Sequence, residues 1–383
     1  MEIRAEALEK LEYFCLNHLS KYSAHRNFDN GPEQRENVSE LSKYVSHRIL
    51  DEVEVLKTSY KKFSYPIIEK FIQEVLWRTY WKGWLEMRPQ LWKKYKADLN
   101  KLKDEVNKEE YQNAIMAQTK IEPFNDWVKE LKEHGYLHNH ARMWFASIWI
   151  FTLNLPWQLG ADFFLKHLLD GDPASNTLSW RWVAGLQTRG KNYLATSWNI
   201  NKFSKKKYNN LKLNENAAPI LESENLTIQP LHFDKVDFSN SLLVIHNLDS
   251  VFLQKYKNKF QFNHCALMDF NTVLENNFSK KVLDFKSAIN IEILTELKNN
   301  FGSNLIIKNK DDLFKIITNR NIKNVIMPYL TCGYENDYIS EIKTKINISY
   351  LVREYDQFCF PFANKGFFAF KDQIPKILAK FVI

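Results

Sequence analysis

The sequence predicts an α+β multidomain protein, all-helical in its N-terminal half and α/β with a parallel sheet in its C-terminal half. Three observations predict it. Apolar residues recur at helical spacing up to about residue 203, a polar Asn/Lys-rich stretch follows, and short β-rich runs then alternate with helical patterns. Taken in order, PIIEKFIQEVLWRTYWKGWLEM from 66 and ARMWFASIWIFTLNL from 141 are long amphipathic segments, and ten of the eleven tryptophans precede residue 183. KKKYNNLKLNENAAPILESEN, 205–225, has the composition of an exposed connection. The domains are therefore expected at 1–204 and 226–383, with 205–225 as linker. Beyond it, SLLVIHNLD from 241, FNHCALMDF from 262, SNLIIKN from 303, KNVIMPYL from 323 and ISYLV from 348 read as strands, between helical patterns such as INIEILTELKNNFG and DDLFKIITNRN. Strands alternating with helices at that spacing imply βαβ units and a parallel sheet. No internal repeat is visible.

Composition sets further bounds. A chain of 383 residues with 45% hydrophobic and 14% aromatic content can bury a large core and fits two or three domains. No apolar run reaches the roughly 18 residues that span a bilayer, and MEIRAEALEK lacks the regions of a signal peptide, so a cytoplasmic protein is expected. Cys15, Cys265, Cys332 and Cys359 are scattered, which argues against a disulfide framework or a zinc or iron–sulfur site and for core thiols. The net charge of +8 favours polyanions such as nucleic acid, although codon bias also produces Lys-rich chains.

The stretch LLDGDPASNTLSWRWVAGLQTRGK, 168–191, is unlike core sequence. Trp157 and Trp180 flank a segment carrying Asp170, Asp172 and Asn176. Buried acids and an amide each cost free energy unless something polar and planar satisfies them. An isoalloxazine ring has such an edge, and an indole beside it can be oxidised transiently to a radical. For any one tryptophan, filling a helical core is the plainer reading; the combination points to a flavin.

The helical half resembles the flavin-binding domain of the cryptochrome/photolyase family, in detail the class I cyclobutane pyrimidine dimer photolyases. Four motifs carry the resemblance, in the family's order and over roughly residues 22–203: Tyr22 and Arg26 before Val38-Ser39-Glu40-Leu41-Ser42; Glu74-Val75-Leu76-Trp77-Arg78; Tyr136-Leu137-His138-Asn139-His140-Ala141-Arg142-Met143; and Asp170-Gly171-Asp172, Ala174, Asn176 and Trp180-Arg181-Trp182. The resemblance implies an FAD cofactor contacted by Tyr22, Arg26, Ser39, Leu41, Ser42, Arg78, Arg142, Asp170, Asp172 and Asn176. Ser39, Leu41 and Ser42 would serve phosphates and the ribityl chain, while ordinary N-capping is the alternative for SELS. Arg142 and Asp170 would form an ion pair beside the isoalloxazine, favouring a negatively charged reduced ring; a structural pair is the alternative. Asn176 would face flavin N5, where plant-type photoreceptor cryptochromes place Asp, so Asn favours repair.

On the substrate side, the resemblance implies that Glu74, Asn139 and Met143 contact a lesion flipped out of duplex DNA, between walls made by Trp77 and Trp182. The (6-4) photolyases place His at the positions of Asn139 and Met143, so cyclobutane dimers are the expected substrate. Glu74 would donate to a thymine carbonyl, given a pKa raised by burial; the alternative is a surface helix acid. The implied activity is light-driven dimer splitting by electron transfer from reduced FAD, catalysed with Glu74 and Asn139 and with Trp180 and Trp157 as the proximal and middle members of a photoreduction chain. The third member falls near Ala114, so its terminus is another aromatic (Trp127, Trp149 or Tyr111) or is absent. The implied partner is UV-damaged DNA, with no membrane and a monomeric chain; a second, antenna chromophore is left open.

The chain departs from the family elsewhere. His140 stands where Arg is usual, and Glu40 where a basic residue is common. The family's α/β domain comes first and opens with W-x-R-x-D-L-R, which is absent here. Yet LTELKNNFGSNLIIKN and KGFFAFKDQIP resemble parts of that domain, so the C-terminal half is expected to be an antenna-type, Rossmann-like domain in circularly permuted order, with a different Rossmann-like domain as the alternative. A cryptochrome-like photoreceptor without repair activity is the second functional reading. A non-flavin helical DNA-binding protein is the third, and it leaves the DGD-to-WRW segment unexplained.

Overall fold

The computed structural model describes residues 2–205, 207–222, 226–233, 235–256, 262 and 264–383. Its N-terminal half is helical: α1 Glu2–Asn17, α2 Ser42–Ser46, α3 Glu52–Tyr60, α4 Tyr65–Glu86, α5 Pro89–Glu105, α6 Lys108–Ile115, α7 Glu122–His134, α8 Asn139–Ser147, α9 Trp157–His167, α10 Pro173–Ala184 and α11 Ser197–Phe203, with shorter turns between them. Asp51 starts α3 with a capping box, accepting from the Glu54 backbone N–H while the Glu54 carboxylate accepts from its own. Pro89 forces Arg88 out of the helical region (φ −140°, ψ 54°), which separates α4 from α5. α8 runs on into a π-helical turn, Ile148–Thr152.

Each of the five β-rich runs carries a strand: β1 Ser241–His246, β2 His264–Met268, β3 Ile306–Ile307, β4 Asn324–Pro328 and β5 Ile348–Leu351. Residue 263, inside the second run, lies outside the described residues. The sheet order is β3-β2-β1-β4-β5 and every pairing is parallel, with Leu243 opposite Cys265, Leu242 opposite Val325 and Met327 opposite Tyr350. β1 is buried along its whole length, as a central strand covered on both faces must be, which is why it reads as an unbroken apolar run. The helices α12 Lys280–Phe301, α13 Lys310–Asn319 and α14 Tyr334–Lys343 make the crossovers. Strand order reverses between β1 and β4, so the crevice at their carboxyl ends is a topological switch point.

Two connections tie the halves together. The described part of 205–225 (206 and 223–225 lie outside it) is laced onto the helices: the Tyr208 hydroxyl donates to Asp126 (2.9 Å) and Ile220 N–H to Ala184 O (2.9 Å). After β5, the chain leaves the sheet, and α15 Glu354–Cys359, α16 Phe367–Lys371 and α17 Ile374–Phe381 follow. Here α4 receives the returning chain: a Cβ on Gly83 would fall 2.8 Å from Phe360 Cα, and the Tyr80 hydroxyl donates to Lys365 O at 3.0 Å. The reason is that α4 buries residues nearly all round, Ile68, Phe71, Leu76, Tyr80, Trp81 and Trp84 among them, and needs cover on more than one side. A buried charge network crosses the same seam. Arg48 donates to Asp249 and Asp356, and Arg353 to Asp356 and Glu52, at 2.7–3.0 Å.

Candidate functional site

The acids of the DGD segment sit where α9 gives way to α10. Asp172 is the N-cap of α10, accepting from Ser175 N–H at 2.7 Å with Pro173 in the first turn. The same carboxylate meets Lys82 Nζ at 3.1 Å. Burial opposes its ionisation, but Lys82 and Arg78 outweigh burial and hold its pKa at about 2. Asp170 accepts both terminal nitrogens of Arg142, at 3.1 and 3.0 Å, and Arg142 is itself aimed by donation from Nε to Leu137 O at 2.8 Å. Against burial, Arg142 and then Arg78 hold the Asp170 carboxyl below the usual range. The two buried acids that look costly in sequence are thus each matched by a cation. Lys82 was missed by sequence reasoning; its signal is the spacing Glu74, Arg78, Lys82, which puts all three along one face of α4.

The groups around these pairs fit a polar, anionic ligand. Arg78 Nη1 and Trp180 Nε1 are buried without a hydrogen-bond partner, and buried donors of that strength are rarely left so. Asn176 donates from Nδ2 to Ala161 O at 2.8 Å, and the amide's carbonyl oxygen is the atom that can accept. Arg142 and Arg35 both lie over the Tyr136 ring, 5.2 and 4.7 Å from its centroid. Tyr22 packs edge-on against Phe71, 5.3 Å between centroids. Ser39 is half-buried. Leu41, not a serine, holds the cap position of the five-residue α2, with no side-chain cap, so the N-capping alternative for SELS is not what the chain does. Glu40 turns through positive φ and pairs with Lys10 (2.9 Å) and Arg35 (3.2 Å).

The residues expected on the substrate side are brought together only in part. Arg26 and Glu74, assigned by resemblance to different ligands, are ion-paired with each other. Burial pushes the Glu74 carboxyl up, and Arg26 pulls it back. Trp77 lies flat on Phe367, centroids 3.5 Å apart and planes 10° apart, and Trp182 stacks on Tyr193 at 5.7 Å. Each ring therefore has an aromatic backing. Asn139 opens α8, exposed, and Met143 is half-buried one turn further along the same face. His140 stacks on Trp144 and its Nδ1 faces Asn27 O at 2.9 Å. Trp180 and Trp157 are both buried, but no ring contact joins them among the described residues: Trp157 stacks on Tyr95 at 5.7 Å, whereas Trp180 meets Trp149 at 6.2 Å.

Residues 71–221 match the family described as the FAD binding domain of DNA photolyase. This stretch is thus similar to the flavin domain of DNA photolyases, and the match supports FAD as the cofactor. A deoxyribodipyrimidine photo-lyase of Neurospora crassa is 27% identical over 190 residues, 47% of this chain and 30% of its own length. One of Buchnera aphidicola is 27% identical over 192 residues, 48% of this chain and 39% of its own. The chain spans well under half the length of these relatives. A crystal structure of a bacterial class III photolyase from Agrobacterium tumefaciens matches at TM-score 0.45 and 25% identity, over 53% of this chain and 42% of that one. No helix among the described residues is long and apolar enough to cross a membrane.

Proposed function

We propose that this chain is a deoxyribodipyrimidine photolyase, a light-dependent flavoprotein that splits cyclobutane pyrimidine dimers in UV-damaged DNA. The observation that carries the reading is the buried charge arrangement of Arg142–Asp170 and Lys82–Asp172 around Arg78, with an unpartnered guanidinium nitrogen, next to the Arg26–Glu74 pair. The chemistry FAD supplies in such a site is light-driven transfer of one electron to the dimer and back. Arg142, Arg78 and Lys82 would hold the flavin and stabilise negative charge that develops on it. Asn176 would accept a hydrogen bond from it and offers no acidic proton. Tyr22, Ser39, Leu41 and Ser42 would serve its phosphates and ribityl chain. Arg26 holds Glu74 until a lesion enters. Once Arg26 turns to the incoming DNA, the half-buried Glu74 carboxyl takes up a proton and donates it as a hydrogen bond to a thymine carbonyl, with Asn139 and Met143 beside it. Trp77, backed by Phe367, and Trp182, backed by Tyr193, would form the walls of the pocket.

The same reading takes 226–383 as a Rossmann-like, antenna-type domain placed after the flavin domain by circular permutation. The sheet order and the helical elements that return to α4 support it. Dimer loss from UV-irradiated DNA, measured with purified protein under blue light and in the dark, is the test. Light-dependent loss is expected. A protein that holds FAD yet repairs nothing would move the reading to a photoreceptor, and one that refuses FAD would end it.

A further inference from the structure

Trp149, which the sequence offers only as one of three aromatics for the end of the chain, connects the helical half's buried aromatic centre to its surface. Its indole meets Trp180 edge-to-face at 6.2 Å (86° between planes) and Tyr111 edge-to-face at 6.0 Å (88°). The approach of the two indoles depends on Gly160, where a Cβ would fall 2.5 Å from Trp180 Cζ3 and 3.0 Å from Trp149 Cε2. Trp149 is held by donation from Nε1 to Pro156 O at 2.9 Å. Trp180 and Trp149 are fully buried, while Tyr111 on α6 is half-buried. Trp157 heads another way, onto Tyr95, then Trp92, then Tyr334, at 5.7, 5.2 and 5.1 Å.

We propose that electrons reach the flavin site through Tyr111, Trp149 and Trp180, with Tyr111 as the surface terminus. The proposal rests on the reading of the helical half as a photoreducible FAD site. Each step moves one electron. Trp180 gives one to photoexcited oxidised FAD, Trp149 refills Trp180, and Tyr111 refills Trp149. As Tyr111 is oxidised its phenolic proton leaves to water and a neutral tyrosyl radical remains, so the charge does not return along the ladder. A dissolved thiol restores Tyr111 by giving a hydrogen atom, and two such thiols join as a disulfide.

The experiment is blue-light photoreduction of the FAD-loaded chain, with and without thiol, read by flavin absorption and by electron paramagnetic resonance after freezing under light. Wild type, Trp180→Phe, Trp149→Phe, Tyr111→Phe and Trp157→Phe are compared. Expected are loss of photoreduction in Trp180→Phe, a slower rate in Trp149→Phe than in Trp157→Phe, and loss of the tyrosyl signal in Tyr111→Phe. Tyr111→Phe removes only a hydroxyl from a half-buried ring, so it keeps the fold even if Trp149→Phe does not. A tyrosyl signal that survives Tyr111→Phe, or a Trp157→Phe rate as low as or lower than that of Trp149→Phe, would overturn the route. Undiminished photoreduction in Trp180→Phe, or absence of FAD from the wild type, would instead bring down the reading beneath it.

Discussion

Replacing Asp172 by Asn separates the two things this side chain does. Asn caps a helix about as well as Asp, so the bond from Ser175 N–H is kept while the charge opposite Lys82 is lost. The depression of the Asp172 pKa from 3.8 to about 2 corresponds to roughly 2.5 kcal/mol of stability at neutral pH. Removing one partner of a buried pair typically costs about 3–5 kcal/mol because the other charge is stranded. Lys82, however, also lies near Glu86 and Asp356, which places the expected loss at about 2–4 kcal/mol. The sign with pH follows from a depressed folded pKa. The contribution is fully present above the unfolded value near 4 and is lost as pH falls through about 2, so the gap between wild type and Asp172→Asn should narrow by roughly half at pH 3. Urea unfolding of both proteins at pH 7, 5 and 3 measures it. A gap under about 1 kcal/mol at pH 7, or one that does not change with pH, would refute the account of how this buried acid is stabilised.

Three other outcomes are expected. Asn176→Asp gives the site an acidic proton near the ring edge and should change the flavin radical that accumulates on illumination, read by absorption; an identical spectrum would remove Asn176 from that contact. Trp182→Ala removes one wall and its Tyr193 stack; at about 1–3 kcal/mol per stacked base it should lower the preference for dimer-containing over intact duplex by roughly one to two decades in competition binding at fixed salt. Equal loss for both duplexes would show that the lesion lies elsewhere. His47, buried between Asn247 O and Leu169 O, has its pKa pushed down to about 4 by burial and by Lys286. The neutral ring is the folded form, so stability should fall as pH drops from about 6.5 to 4, by up to roughly 3 kcal/mol, and His47→Gln should flatten that slope in thermal melts.

The strands were legible because a buried parallel strand writes itself as a short unbroken apolar run: SLLVIHNLD became β1 and KNVIMPYL became β4. The DGD acids were legible for the opposite reason, since acids in an aromatic-rich segment demand partners. Which partners was only half visible. Arg142 came with its motif, but Lys82 took a helical wheel to see and a structure to confirm as the counter-ion of Asp172. Tyr208 and Ile220 anchor a stretch whose Asn/Lys composition reads as loose, because one side-chain and one backbone hydrogen bond to neighbouring helices leave no compositional mark.

The sequence by itself determined the alternation of elements, the position of the acid- and tryptophan-rich motifs and the cost of Asp170 and Asp172 without cations, because periodicity and side-chain chemistry are local properties. Only the tertiary structure decided that Arg26 holds Glu74, that Phe367 backs Trp77 from 290 residues away in the chain, and that Trp180 touches Trp149 and not Trp157. Those pairings depend on how α4 is covered from several sides and on a glycine at 160 that lets two indoles meet. Close packing of this kind is settled by shape among residues distant in sequence, which no local pattern encodes.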